Sequence, residues 1–176
     1  MRKNEGTLGS ISHGTMRGED LIPSFTHELR RLMGNTFEHG ELVASVEENV
    51  KTVPNYFSSE ACVEDLESLF DALYEYAPPW CYFGSHEGDG SDYGFWVSMD
   101  LIEQAREEGD LADLADLGSI RRYVDETISG FQEHRDKNLL WHWVHAMLPE
   151  FAVSVNESTC ILYQLDGREY KVRWQW

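Results

Sequence analysis

Hydrophobic positions recur with a helical period through the first part of the chain. Leu21, Phe25, Leu29 and Leu32 stand at i, i+4, i+8 and i+11, which predicts a helix opened by Asp20 with Pro23 in its first turn. Leu42, Val43, Val46, Val50 and Val53 predict a second helix from about Glu41 to Val53, ended by Pro54. A third runs from about Ser59 to Tyr76, with Leu66, Leu69, Phe70, Leu73 and Tyr76 inward, and Pro78–Pro79 stops it.

The period then changes. WCYFGSHEGDGSDYGFWVS, residues 80–98, reads as two aromatic strands around a turn-rich loop at His86–Asp92. Ser98 caps a further helix through about Glu108, and a short segment Leu111–Leu117 follows Gly109. Helices are predicted from Ser119 to Phe131 and over Lys137–Leu148, the latter rich in Trp and Leu and ended by Pro149. FAVSV, TCILYQL and REYKVRWQW close the chain as three strands, with a hairpin signal at Asp166–Gly167. In the last strand Tyr170, Val172, Trp174 and Trp176 alternate with Lys171, Arg173 and Gln175. The pattern predicts an α+β fold: an antiparallel sheet of about four to six strands packed against several amphipathic helices. At 176 residues, 1–176 is expected to be a single domain, with an acidic central region 41–116 and a helix plus three-strand C-terminal portion 117–176.

Charge changes this picture. The formal net charge is −18, which repels phosphate backbones and anionic lipid and makes direct nucleic-acid or membrane-surface binding unfavourable. Residues 1–40 carry five acids and five bases, residues 41–116 carry 19 acids and two bases, and residues 117–176 carry eight and seven. A net −17 therefore falls in the middle region, opposed there by Lys51 and Arg106 alone. On the third helix Glu60, Glu64, Glu67, Asp71 and Glu75 recur every three or four residues, opposite the Leu66, Leu69 and Leu73 face. They form a row roughly 22 Å long with neighbours about 5–6 Å apart, near the spacing of phosphates along one nucleic-acid strand. Asp100, Glu103 and Glu107 extend the acidic character downstream. An unmixed face of this kind fits two descriptions, a solvated surface that favours solubility or a docking face for a basic partner.

Other clusters carry less specific chemistry. His86, Glu87, Asp89 and Asp92 lack the calcium-hand pattern and read as a hairpin loop whose carboxylates accept backbone hydrogen bonds. His142 and His145 share a helix face without a third ligand, so no metal site is assigned there. Ser12 beside His13, and Cys81 with His86, lack an orienting acid, so no catalytic residue is assigned. Neither a P-loop nor a Rossmann glycine pattern is present, and no cofactor is expected. Cys62, Cys81 and Cys160 are odd in number and widely spaced, which predicts free thiols. With no apolar run of membrane-spanning length, a soluble, cytoplasmic protein is expected.

Two segments, SISHGTMRGEDLIPSF at residues 10–25 and LFDALYEYAPPWCYFGSHEGDGSDYGFW at residues 69–96, together resemble the signature of a family of small, acidic proteins carried by phages and other mobile elements. The two segments span residues 10–96, about half the chain. No reaction is established for that family, so the resemblance implies a mobile-element setting and, by analogy, an anti-CRISPR or anti-restriction type of inhibitor in the host cytoplasm. The leading expectation is a non-enzymatic inhibitor whose acidic face occupies the basic nucleic-acid groove of a host nuclease. A second is a small metal-dependent enzyme or ligand-binding protein using a cleft of His13, Arg17, His86, Asp89 and Asp92, where the two segments would meet. A third is an assembly protein that binds a basic partner. A homodimer is open to the chain if Arg168–Trp176 forms a sheet edge.

Overall fold

The computed structural model describes residues 4–34, 36, 38–113, 150–155, 159–166 and 169–176. The chain divides into two compact units, Met1–Ser98 and Met99–Trp176. The boundary lies inside the acidic region 41–116.

The fold is α+β, but its strands divide between two sheets instead of forming one. The first unit holds β1 (Gly9–Ser12), α1 (Gly18–Met33), α2 (Gly40–Thr52), a short 3-10 turn at Tyr56–Ser58, α3 (Glu60–Tyr74), β2 (Cys81–His86) and β3 (Asp89–Val97). Its sheet is antiparallel in the order β1-β3-β2. Phe25 of α1 is fully buried and meets Phe70 and Phe83 edge-on, each at 5.1 Å between ring centroids. Edge-to-face contacts of this kind add to the area term, so the aromatic strands and the helices share one core. Leu29, Leu69, Leu73, Tyr76 and Phe95 complete it.

Several local expectations shift. Arg17, not Asp20, is the residue flanking the start of α1, and Pro23 falls in the second turn. Asp20 instead accepts a 2.7 Å hydrogen bond from the Thr15 hydroxyl at the positive end of the helix. Val50, expected inward, is exposed on α2, while Val43 and Val46 are buried. The broad loop expected at His86–Asp92 contracts to a turn at Glu87–Gly88, because β3 already begins at Asp89.

The second unit contains α4 (Met99–Glu108) and a four-stranded sheet in the order β4-β5-β6-β7: β4 (Leu111–Asp113), β5 (Phe151–Val155), β6 (Cys160–Asp166) and β7 (Glu169–Gln175). β4 pairs in parallel with β5, and the other pairs are antiparallel. In β7 the register slips at Arg173, since Leu162 faces Trp174 while Tyr163 faces Val172. An extra residue in one strand reverses the alternation beyond it. Trp174 is therefore buried while Val172 is 57% exposed, which corrects the expectation that both share one inward face. The helices expected over Ser119–Phe131 and Lys137–Leu148, with His142 and His145, lie outside the described residues. Among the described residues no helix is long and apolar enough to cross a membrane.

Candidate functional site

The acidic row is built by α3. Cys62, Leu69, Ala72 and Leu73 are buried on one side of this helix, which turns the opposite side to solvent. Glu60, Glu64, Glu67, Asp71 and Glu75 are all exposed there. Glu60, Glu64, Glu67 and Asp71 form no ion pair with any described residue. Two cations elsewhere in this unit are engaged locally: Arg30 pairs with Glu47 across α1 and α2, and Arg31 pairs with Glu28 at 2.6 Å. Glu75 differs from the rest of the row. It sits just past the last turn of α3, and its Oε2 lies 3.6 Å from the His39 Nε2. Asp100, Glu103 and Glu107 are exposed on α4 in the other unit and form a face of their own.

One acid of α3 escapes the row. Asp65 is buried among the apolar positions, accepting a 2.7 Å hydrogen bond from the Tyr56 hydroxyl and weaker ones from the Asn49 amide. Burial and the adjacent carboxylate push the Tyr56 phenol far above its ordinary value. The inward direction of Asp65 was legible in the sequence, because Cys62, Asp65, Leu69 and Ala72 share one helical stripe.

The second cluster lies where β1 meets β3. Gly94 permits the approach: a Cβ there would stand 2.0 Å from the Gly9 carbonyl oxygen, so any larger residue collides with backbone. Gly90, Ser91 and Asp92 face no residue of β2, because the register jumps from Tyr93↔Ser85 to Asp89↔His86. This bulged segment turns instead to the residues that follow β1, and the Ser91 carbonyl accepts the Gly14 amide at 3.0 Å. The result brings the His13 Nδ1 to 3.3 Å from an Asp92 carboxylate oxygen. The other oxygen of Asp92 is buried without a hydrogen-bond partner among the described residues.

Neighbouring residues are placed differently. Asp89 accepts hydrogen bonds from the Ser91 hydroxyl at 2.7 Å and the Ser91 amide at 2.9 Å. These bonds hold its carboxyl below the usual carboxylate range, with His13 and His86 adding attraction. The His86 ring stacks edge-on against Trp96 at 4.7 Å, and its Nδ1 accepts the Gly88 amide at 3.0 Å. Arg17 is exposed at the start of α1 and joins none of these contacts, although its amide donates to the Thr15 hydroxyl. Of the five residues expected in a cleft, His13 and Asp92 therefore touch, Asp89 stands within electrostatic reach of His13 and His86, the His86 ring itself packs on Trp96, and Arg17 is exposed outside these contacts. Ser12 is buried.

The three cysteines are free and buried. Burial raises the thiols of Cys62 and Cys160 above their ordinary value, which disfavours the nucleophilic thiolate. A separate groove between α1 and α2 is lined by Ile22, Pro23, Thr26, Val46, Val50 and Lys51 among others. Comparisons with protein-family models, curated proteins and solved structures give no match to this chain.

Proposed function

We propose that this protein is a phage or mobile-element inhibitor of host defence, and that the acidic row of α3 docks into the basic nucleic-acid groove of a host nuclease. One observation carries the reading: Glu60, Glu64, Glu67 and Asp71 are exposed in line and lack a cationic partner among the described residues. Like charges at helical spacing repel by a few tenths of a kcal/mol each, on the order of the gain from opposite pairs. A basic groove would relieve that repulsion and would also speed encounter through charge steering. The protein would be expressed in cells carrying a restriction or CRISPR system, and survival of a targeted plasmid measured. Protection is expected, and the triple variant Glu64→Lys, Glu67→Lys, Asp71→Lys should lose it while keeping its helical circular dichroism. Protection retained in that folded variant overturns the reading.

A second reading rests on the buried Asp92 oxygen beside His13, which has no partner among the described residues and suits a ligand that donates a hydrogen bond. A small-molecule screen by thermal shift, repeated on His13→Ala and Asp92→Asn, tests it. A stabilising ligand whose effect vanishes in both variants supports a ligand-binding protein over an inhibitor.

A further inference from the structure

We propose that Glu38, His39 and Glu75 form a binding site for a divalent first-row transition metal, with Zn2+ the best match. One ligand atom from each of these residues lies within 4.8 Å of the others. The site shares Glu75 with the end of the acidic row but uses none of Glu60, Glu64, Glu67 and Asp71 and lies apart from the His13–Asp92 contact, so zinc binding is tested without reference to either functional reading.

The local backbone aims the imidazole. His39 precedes α2 in a left-handed conformation, φ 57° and ψ 10°, and its carbonyl accepts the Val43 amide. That conformation is uncommon for a side-chain-bearing residue, and His is among those that tolerate it. The ring is held edge-on to Tyr76 at 5.8 Å, with 17% of the side chain exposed. Its Nε2 is buried and has no hydrogen-bond partner among the described residues. The Glu75 oxygen at 3.6 Å is too distant for a hydrogen bond. A buried ring nitrogen left in this state carries a desolvation cost, which a metal bond would offset.

The donor set selects the ion. One imidazole nitrogen and two carboxylate oxygens suit zinc and its neighbours better than calcium or magnesium, which prefer oxygen alone. Zinc binds such donors at about 2.0–2.2 Å, and tetrahedral ligands then stand roughly 3.5 Å apart. Glu38 and Glu75 are both exposed, and a bound ion would compete with the interactions their carboxylates already make to draw them over the remaining distance. Three protein ligands leave a fourth position for water. Position adds to chemistry, because Glu75 lies at the C-terminal end of α3, where the helix dipole favours a cation. The rest of the acidic row raises the local cation concentration further. A bound ion would tie the segment before α2 to the end of α3 within one compact unit.

The test is calorimetric titration of the chelator-stripped full chain with ZnCl2, with CaCl2 and MgCl2 in parallel. One equivalent of zinc is expected to bind and to raise the thermal midpoint. His39→Asn, which preserves tolerance of the left-handed backbone, and Glu75→Gln, which keeps the shape of an exposed side chain, should each weaken zinc at least about tenfold. His13→Ala should leave it unchanged. No stoichiometric zinc, binding undiminished in both site variants, loss in His13→Ala instead, or equal binding of calcium would each overturn the proposal.

Discussion

The Tyr56 hydroxyl donates to the Asp65 carboxylate at 2.7 Å inside the helical layer, on the side of α3 away from the exposed acids. One helix thus carries carboxylates in two settings, one satisfied by buried donors and four left to solvent. Removing the donor should destabilise the fold. Tyr56→Phe is expected to cost about 1.5–3 kcal/mol, the range for a buried hydrogen bond to a charged group, read from urea unfolding.

The same pair predicts an alkaline limit. The Tyr56 phenol is raised above its ordinary value of 10.0, so the folded state resists its ionisation. Stability from this group is complete below the unfolded value and declines as pH rises above it, because only the unfolded chain then releases the proton. Unfolding free energy measured between pH 9 and pH 11 should fall in the native protein and fall less in Tyr56→Phe, with those pH points spanning roughly one unit either side of the free phenol.

Gly94 should tolerate no side chain. An added Cβ meets the Gly9 carbonyl oxygen and the Ser10 Cα, both backbone, so Gly94→Ala must separate β1 from β3. A loss of about 1–3 kcal/mol is expected from such overpacking. Gly90→Ala, which meets nothing within 4 Å, serves as the control in thermal unfolding.

The Asp89 carboxyl should respond to its neighbour. Ser91→Ala removes the hydroxyl bond that contributes most to lowering it, so the Asp89 midpoint is expected to rise, as followed by carbon NMR titration. The sign for stability follows: this lowered acid helps the fold above its unfolded value and ceases to help as pH falls through the folded one.

The acidic row should make stability depend on salt. Added NaCl screens repulsion among exposed carboxylates, so the thermal midpoint is expected to rise between low and high ionic strength. The rise should shrink in the variant Glu64→Gln, Glu67→Gln, Asp71→Asn, in which three charges of the row are gone. An unchanged salt response would show that the row exerts little self-repulsion.

Local pattern alone determined the helical spans of α1, α2 and α3, the aromatic hairpin and the three C-terminal strands. Each is set by side-chain period and by Gly, Pro or Ser at its ends, all short-range properties. The exposed acidic face was legible for the same reason, since helical geometry puts Glu60, Glu64, Glu67 and Asp71 opposite Leu69 and Leu73. Tertiary structure decided what depends on distant partners. β1 has no strand signal in GSIS, and it forms because Gly94 lets a neighbouring backbone approach. The bulge at Arg173, the turn of His86 towards Trp96, and the pairing of Glu75 with His39 likewise depend on residues far away in sequence or on sheet register. Periodicity says which way a side chain faces; only packing says what it meets there.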